Sequence, residues 1–246
     1  MPKNKKIKPE EALTTDYAPQ NKNFFYKIEL KCKNQKQKNF LKLLKDKKKE
    51  ICFGVGSAGS GKTYVSIAYA LQAIKENNKY KKLIVIPPTV EAGSRDLHLG
   101  FLSGDKIMKQ EPYCDNVYSL IEDIISKSGN NEPKKLARNI INEYVEIELV
   151  NFARGKTWSN CIIDIEEAEN FSKKEMLLLL TRIGENCKVI INGDAAQKDR
   201  RYLNNEDDGM TFYSKALSDL EEVGCIEFTN DDIVRNPLIQ KIIDRS

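Results

Sequence analysis

The sequence predicts an α/β protein built on a mostly parallel sheet with helices on both faces. Short apolar runs, with the length of buried strands, alternate with longer segments whose apolar residues recur at helical spacing. Strands that alternate with helices in this order pair in parallel, and the intervening helices cover both faces of the sheet. The 246 residues show no break in composition, so we expect one domain over residues 23–246.

The elements of this fold follow one another along the chain. Strands are predicted at residues 24–30, 51–55, 83–86, 147–150, 161–165, 189–191 and 225–228. Helices are predicted at residues 35–45, 64–73, 117–126, 134–144, 171–181, 211–220 and 237–245. Residues 1–22 are polar and rich in lysine, and we expect them to form a basic, mobile N-terminal arm.

The overall composition excludes several classes of protein. Hydrophobic residues make up 40% of the chain and charged residues 31%, which describes a soluble globular protein. No apolar run approaches the roughly 20 residues that span a bilayer, and the basic N-terminus lacks the apolar core of a signal peptide. The six cysteines and the single His98 show no metal-ligand spacing. We therefore expect a cytoplasmic protein with reduced thiols and no membrane partner.

The charge is distributed unevenly along the chain. The net charge is only +4, but residues 1–50 are rich in lysine and include the basic run 45–49. A lysine run is usually a solvated surface, and it is also a common way to hold the phosphates of a nucleic acid. The sequence leaves both interpretations open.

A complete phosphate-binding loop stands between a predicted strand and a predicted helix, which is the context that this motif requires. Its residues are Gly56, Ser57, Ala58, Gly59, Ser60, Gly61, Lys62 and Thr63. The small residues let backbone amides surround an anion at the N-terminus of a helix. Lys62 is expected to reach the β- and γ-phosphates, and the Thr63 hydroxyl to ligate Mg²⁺. The loop predicts binding of a nucleoside triphosphate.

Carboxylates follow the apolar strand predicted at residues 161–165. Glu166, Glu167 and Glu169 come directly after it. Of two adjacent acids at the end of a strand, one can bind the metal ion or its water ligands, and the next can orient the attacking water as a general base. One or two of them could instead complement the dipole of a following helix.

The strand at residues 189–191 leads into Gly193 and Asp194, and Gln197 follows three residues later. A Gly-Asp pair by itself indicates only a turn. Because the carboxyl ends of parallel strands meet at one edge of a sheet, we expect Asp194 and Gln197 to lie near the other two motifs and to sense the γ-phosphate or its attacking water.

Together these motifs resemble the PhoH-like proteins, a group of phosphate-loop ATPases related to the core of superfamily-1 helicases. The resemblance covers about residues 35–245. Besides the loop and the acidic strand, the matching segments are residues 90–93, 99–105, 112–113, 154–157, 181–184, 193–197 and 233–238. The resemblance implies a RecA-like P-loop NTPase core with ATP and Mg²⁺ as its ligands.

The resemblance also implies a role for individual residues. Gln37 matches an upstream glutamine that reads adenine in related helicases. Glu166 falls at the position of a metal ligand, and Glu167 at that of the general base. Asp194 and Gln197 fall at the positions of γ-phosphate sensors.

A single core of this kind must oligomerise to move along a strand, so we expect a homo-oligomeric ring such as a hexamer. Arg235 is then expected to complete the active site of a neighbouring subunit, because phosphoryl transfer needs positive charge beyond lysine and magnesium. Arg154 and Arg182 are alternatives for this role. Arg235 could also be a surface arginine paired with Asp231 or Asp232.

The chain departs from the family pattern at several positions. Glu166 stands where the family usually has aspartate, Glu169 where it has glutamine, and Pro87 where it has arginine. Asp164 lies inside a strand where the family is apolar. The longer Glu166 must retract or hold magnesium through water, and Glu169 adds negative charge near the γ-phosphate.

The function predicted from the sequence is a Mg²⁺-dependent, helicase-like ATPase coupled to single-stranded RNA or another nucleic acid. The alternative is a nucleotide-dependent assembly module whose hydrolysis is vestigial, which the changes at Glu166 and Glu169 favour. A nuclease is less favoured, because the ATP site already accounts for the carboxylates.

Overall fold

The computed structural model of the chain describes residues 26–76, 79–88, 106–197 and 208–234. The strands are β1 Ile51–Gly56, β2 Lys82–Ile86, β3 Val145–Ile147, β4 Cys161–Ile165, β5 Lys188–Gly193 and β6 Val223–Phe228. The α-helices are α1 Gln35–Lys45, α2 Lys62–Glu76, α3 Lys106–Lys127, α4 Pro133–Tyr144, α5 Lys173–Leu180 and α6 Gly209–Ala216. Single 3₁₀ turns lie at Val150–Phe152, Ala168–Asn170, Ala195–Gln197 and Asn230–Asp232.

The six described strands form one sheet in the order β3-β2-β4-β5-β1-β6, and every neighbouring pair is parallel. This confirms the predicted α/β class. The first strand lies inside the sheet, and its successor β2 lies beyond β5 and β4. The carboxyl ends of β1, β5 and β4 are therefore neighbours, and the crevice outside them is where open parallel sheets bind ligands.

Each face of the sheet carries its own hydrophobic core, because successive side chains of a strand point to opposite faces. On one face, strand residues such as Cys52, Val85, Ile162 and Ile190 pack against α1 to α4. On the other, Phe53, Ile84, Ile163 and Ile191 pack against α5, α6 and Phe171. Helices thus cover both faces, as predicted. Among the described residues, no helix combines the length and apolar character needed to cross a membrane.

The prediction of a strand at residues 24–30 is wrong for residues 26–30, because residues 26–33 form no strand. Residues 24 and 25 lie outside the described part of the chain. Side chains of the loop between α3 and α4 take the place of a neighbouring strand. The amide of Lys27 donates to Asn130 Oδ1 at 2.8 Å, and the amide of Glu29 donates to Ser128 Oγ at 2.8 Å. These partners lie about a hundred residues away in the sequence, so the local pattern could not indicate them.

Other boundaries differ from the predictions for local reasons. Strand β3 ends at Ile147, since Val150 already begins a 3₁₀ turn closed by the amide of Phe152 on Leu149 O at 2.9 Å. Helix α5 begins after Ser172, whose hydroxyl and the Glu175 side chain form a capping box. The helix predicted at residues 237–245, the arm at residues 1–22 and the family segments at residues 90–93 and 99–105 lie outside the described residues.

We predict that Gly56→Ala will strongly destabilise the fold. Gly56 has a φ of +116°, and an added Cβ would lie 1.9 Å from the carbonyl oxygen of Phe228 on β6. Either β6 must separate from β1 or the loop must shift, and we expect a loss of at least about 3 kcal/mol in the free energy of unfolding. Urea denaturation measures this loss.

Gly129→Ala is the matched control, because Gly129 also has a positive φ, +72°, but has no atom within 4 Å of the added Cβ. It should lose only the roughly 1–2 kcal/mol that an L-residue costs in this conformation. Equal losses in the two variants would contradict the steric explanation.

Candidate active site

A cavity of about 1120 Å³ opens at the carboxyl ends of β1, β4 and β5. The sheet order brings together around it residues from motifs that are distant in the sequence. Its lining includes the predicted residues Gln37, Ala58, Gly59, Gly61, Lys62, Thr63, Glu166, Glu167, Asp194 and Gln197. Arg235 lies outside the described residues, and the cavity lining does not include Arg154 or Arg182.

Lys62 opens helix α2, and its ammonium group lies within the loop. Its Nζ donates to the carbonyl oxygens of Gly56 at 2.5 Å and Ser57 at 3.0 Å. The residue is 7% exposed. Burial lowers the pKa of Lys62, and the negative charges of Asp194 and Glu166 oppose this shift. The loop thus holds a largely desolvated cation where phosphate oxygens are expected.

The loop is braced by elements on both sides of it. From α1, Gln37 Nε2 donates to Ser60 O at 2.7 Å, and Gln37 Oε1 accepts from the amide of Lys33 at 2.7 Å. From the segment after β6, the amide of Val234 donates to Gly59 O at 3.1 Å. Both ends of the Gln37 amide therefore contact the protein backbone and fix the loop, while its role in reading adenine stays a prediction.

Thr63 and Glu166 meet across the cleft between α2 and β4. Thr63 Oγ1 donates to Glu166 Oε2 at 2.6 Å, and Asn192 Nδ2 on β5 donates to Glu166 Oε1 at 2.9 Å. Desolvation raises the pKa of Glu166, against the hydrogen bonds from Thr63 and Asn192. The longer Glu166 side chain is thus retracted towards the hydroxyl. A hydroxyl and a carboxylate side by side are the hard oxygen donors that Mg²⁺ prefers, so this pair fits the predicted metal site.

Glu167 is exposed, lines the cavity and has a left-handed backbone with φ +48°. This conformation is uncommon for residues other than glycine, asparagine and aspartate. The 3₁₀ turn that follows, closed by the amide of Asn170 on Glu167 O at 3.0 Å, sets this geometry. Strained residues of this kind concentrate at functional sites.

Glu169 connects the acidic strand to Asp194. The amide of Asp194 donates to Glu169 Oε2 at 2.9 Å, and Asp194 Oδ2 accepts from the amide of Ala58 in the loop at 3.0 Å. Gly193 permits this approach, since a Cβ there would lie 2.5 Å from Glu169 Oε2. A glycine is therefore required at position 193 because Glu169 lies so close to the backbone there.

Burial raises the pKa of Glu169 to about 7, although hydrogen bonds from backbone amides lower it. Near neutral pH this carboxyl carries only part of a negative charge. The electrostatic cost expected from glutamate in place of glutamine is correspondingly smaller.

Three further polar residues belong to the site, and their local sequence does not indicate a functional role: Ser66, Asp164 and Asn192. Asp164 was visible as an acid inside an apolar strand, but its partners were not. Ser66 Oγ donates to Asp164 Oδ2 at 3.0 Å, and Asn192 Nδ2 donates to Asp164 Oδ1 at 3.1 Å. Only the pairing of β4 with β5 and the packing of α2 on them bring these groups together.

We predict that Glu169→Gln will stabilise the protein more at pH 8 than at pH 5. The folded state raises the carboxyl pKa from 4.5 to about 7. The parent therefore loses stability as pH rises from 4.5 through 7, by about 3 kcal/mol in the limit, and glutamine does not. Its amide oxygen can still accept from Asp194. Urea denaturation at the two pH values measures the difference.

Glu185→Gln, at an exposed position, is the control and should change stability equally at both pH values. A gain from Glu169→Gln that does not depend on pH would contradict the proposed burial penalty.

Comparison with known proteins places the chain in a family. The sequence model of the family described as PhoH-like protein matches residues 29–245. The PhoH-like protein of Bacillus subtilis (strain 168) is 34% identical over 198 residues, which are 80% of this chain and 58% of that protein. The PhoH-like protein of Synechocystis sp. is 31% identical over 215 residues, 87% of this chain and 61% of its own. Protein PhoH of Escherichia coli (strain K12) is 33% identical over 211 residues, which are 86% of this chain and 56% of that protein.

The chain thus spans about three fifths of the length of these curated relatives. Among solved structures, the large terminase from a thermophilic bacteriophage is similar with a TM-score of 0.48 and 14% identity. That match covers 86% of this chain and 49% of the terminase. A likeness at this level carries no argument about function. The family match covers 217 of the 246 residues, and the protein belongs to the PhoH-like family.

Proposed function

We propose that this protein binds ATP with Mg²⁺ and hydrolyses it. The observation that carries the proposal is the meeting of three motifs at one cleft: the loop with the buried Lys62, the Thr63–Glu166 pair and the Glu169–Asp194–Ala58 connection. Their grouping supports phosphoryl chemistry, because such a reaction depends mainly on positioning and electrostatic stabilisation.

Each group has a chemical task in this proposal. The backbone amides of the loop and Lys62 hold the β- and γ-phosphates, while Thr63 and Glu166 hold the metal ion. Bound there, Mg²⁺ neutralises charge that develops on the phosphate oxygens. Glu167 orients the attacking water and accepts its proton, and Asp194 and Gln197 respond to the γ-phosphate. The position of Glu167 on the cavity wall and its left-handed backbone support its role as the base.

The alternative is an assembly module in which ATP binding controls association and hydrolysis is vestigial. The specific observation in its favour is the acidity of the cleft, where Glu166, Glu167, Glu169 and Asp194 all lie near the loop. Lys62 is the basic group within the phosphate loop that opposes them. Turnover measurements separate the two functions.

We predict that Glu167→Gln will bind ATP as the parent does and lose about 100-fold or more in turnover, because the amide keeps the size of the side chain but cannot act as a base. Steady-state ATPase assays and equilibrium binding of a fluorescent ATP analogue measure the two effects. Lys62→Ala, which removes the cation from the loop, should abolish binding and serves as the reference for a lost site.

Glu132→Gln is the matched control, since Glu132 is also an exposed glutamate with a left-handed backbone, φ +47°, but lies outside the cavity. It should leave turnover unchanged. Full turnover in Glu167→Gln would place the base elsewhere, and a parent protein without Mg²⁺-dependent turnover would favour the assembly module.

We further propose that the same cleft contacts single-stranded RNA or another single-stranded nucleic acid. Beyond the loop, the cavity extends along α3 and is lined there by Tyr64, Lys31, Lys33 and Lys127. Lysines that follow a phosphate backbone next to an aromatic ring on which a base can stack are typical of single-strand sites. Two of these lysines have exposed carboxylate partners, Lys31–Glu29 at 3.3 Å and Lys127–Asp123 at 2.5 Å. Such exposed pairs are weak enough for a phosphate to compete.

The lysine run at residues 45–49 supports this role less well. It lies at the start of β1, at the opposite end of that strand from the loop. Lys49 Nζ donates to the carbonyl oxygens of Glu221 at 2.8 Å and Val223 at 2.9 Å, and Lys48 pairs with Glu221. These contacts connect the chain before β1 to the chain around β6.

We predict that Lys31→Ala and Lys127→Ala will each weaken binding of single-stranded RNA. Each should also reduce the slope of log K against log salt by about 0.7, the value for one lost phosphate contact on a single strand. Fluorescence anisotropy with a labelled oligonucleotide over a range of salt concentrations gives both quantities. The same oligonucleotide should stimulate ATP turnover by the parent.

Lys48→Ala is the matched control, because Lys48 is an equally exposed lysine in an ion pair, at 2.9 Å from Glu221, and lies outside the cavity. An equal loss in all three variants would indicate non-specific attraction and contradict a site in the cleft. A labelled DNA of the same sequence measures whether the site distinguishes RNA from DNA.

We also propose a homo-oligomeric ring in which Arg235 reaches the site of a neighbouring subunit. The segment that leads to this arginine supports the proposal, because Val234 lines the cavity and bonds to Gly59 of the loop. The hexameric number and the role of Arg235 remain predictions.

A further inference from the structure

A cluster of buried polar side chains lies directly behind the Thr63–Glu166 pair. It joins Ser66 of α2, Asp164 of β4 and Asn192 of β5, each no more than 1% exposed. Asn192 Nδ2 lies 3.1 Å from Asp164 Oδ1, 3.0 Å from Ser66 Oγ and 2.9 Å from Glu166 Oε1. The amide group is thus the hydrogen-bond donor shared by both carboxylates.

The orientation of the Asn192 amide follows from these neighbours. An ionised carboxylate can only accept, so with both acids ionised an amide turned the other way would place its oxygen against two acceptors, Asp164 Oδ1 and Glu166 Oε1. The observed orientation leaves Asn192 Oδ1 without a hydrogen-bond partner among the described residues. A buried acceptor without a partner is unfavourable. The hydrogen bonds from Asn192 Nδ2 to the two carboxylates therefore contribute more free energy than the hydrogen bond that Oδ1 lacks.

The same bonds determine where the longer side chain of Glu166 ends. Asn192 holds Oε1, and Oε2 lies 2.6 Å from Thr63 Oγ1. Asp164 fixes the amide in turn, and its second oxygen accepts from Ser66, one helical turn beyond Thr63. A glutamate has one more rotatable bond than an aspartate, and this network restrains that bond.

We propose that Asn192, held in place by Asp164 and Ser66, is a positioning residue that keeps the Glu166 carboxylate beside Thr63 at the metal site. The proposal rests on the proposed function, since it takes Thr63 and Glu166 as the metal ligands. Groups that orient a ligand through hydrogen bonds typically contribute 10- to 100-fold to metal affinity. Asn192 supplies this orientation in a chain whose metal-side acid is a glutamate.

The test is the Mg²⁺ dependence of nucleotide binding, measured with a fluorescent ADP analogue in Mg²⁺ titrations and in EDTA. Asn192→Ala should raise the Mg²⁺ concentration at half-maximal effect by about 10- to 100-fold and leave binding in EDTA unchanged. A merely structural role would weaken binding in both conditions, and that result would overturn the proposal.

Ser66→Ala is a milder variant that carries the test if Asn192→Ala does not fold. It should shift the Mg²⁺ dependence in the same direction and by less. Its matched control is Ser214→Ala, because each of the two serine hydroxyls lies 3.1 Å from the carbonyl oxygen three residues before it, and Ser214 lies on α6 outside the cavity. Equal shifts in the two variants would contradict a role through Asp164.

A double-mutant cycle with Glu166→Asp tests the positioning itself. The shorter acid needs less restraint, so Asn192→Ala should shift the Mg²⁺ dependence less in this background than in the parent. Additive effects would overturn the proposal.

If the parent shows no Mg²⁺ dependence at all, the proposed function fails. If the parent shows it and Asn192→Ala does not change it, only the role of Asn192 fails.

Discussion

Two neighbouring acidic side chains, the buried Asp164 and the half-buried Glu166, constrain the rest of the site. Burial raises the pKa of both side chains, and each therefore requires hydrogen-bond donors. The donors come from α2 and from β5, through Thr63, Ser66 and Asn192. These elements are distant in the sequence, and the hydrogen bonds to the two acids hold α2, β4 and β5 in one relative position.

The same cleft concentrates opposite charges at short range. Lys62 is desolvated within the loop, and the carboxylates around it partly offset the lowering of its pKa. Glu169 relieves some of the excess negative charge, since its pKa of about 7 lets it hold a proton near neutrality. Charges in the buried part of this cleft interact strongly, because water screens them poorly there.

Rigidity around the loop comes from the flanking elements. Helix α1 is held at its N-terminal end by Asn34 Nδ2 on Asp232 O at 2.8 Å, and at its C-terminal end by Lys188 Nζ on Leu44 O at 2.7 Å. Lys188 is 2% exposed, and burial lowers its pKa. Gln37 of this helix donates a hydrogen bond to the carbonyl oxygen of Ser60 and so connects the helix to the loop. These contacts fix the position of the loop relative to α1.

The sequence by itself determined the parts whose signals are local. The strand, glycine loop and helix around Lys62 are consecutive, and the acids Glu166 and Glu167 follow their strand directly, so the local pattern predicted the α/β class and placed these candidate residues at the ends of strands. Tertiary structure decided what depends on strand register and burial. Asn192 meets Glu166 because β5 pairs with β4, Glu169 gains its raised pKa from burial against Gly193, and residues 26–33 bond to a loop about a hundred residues away. Hydrogen bonds between distant residues leave no periodic pattern in a sequence, because only the packed sheet brings their donors and acceptors within reach.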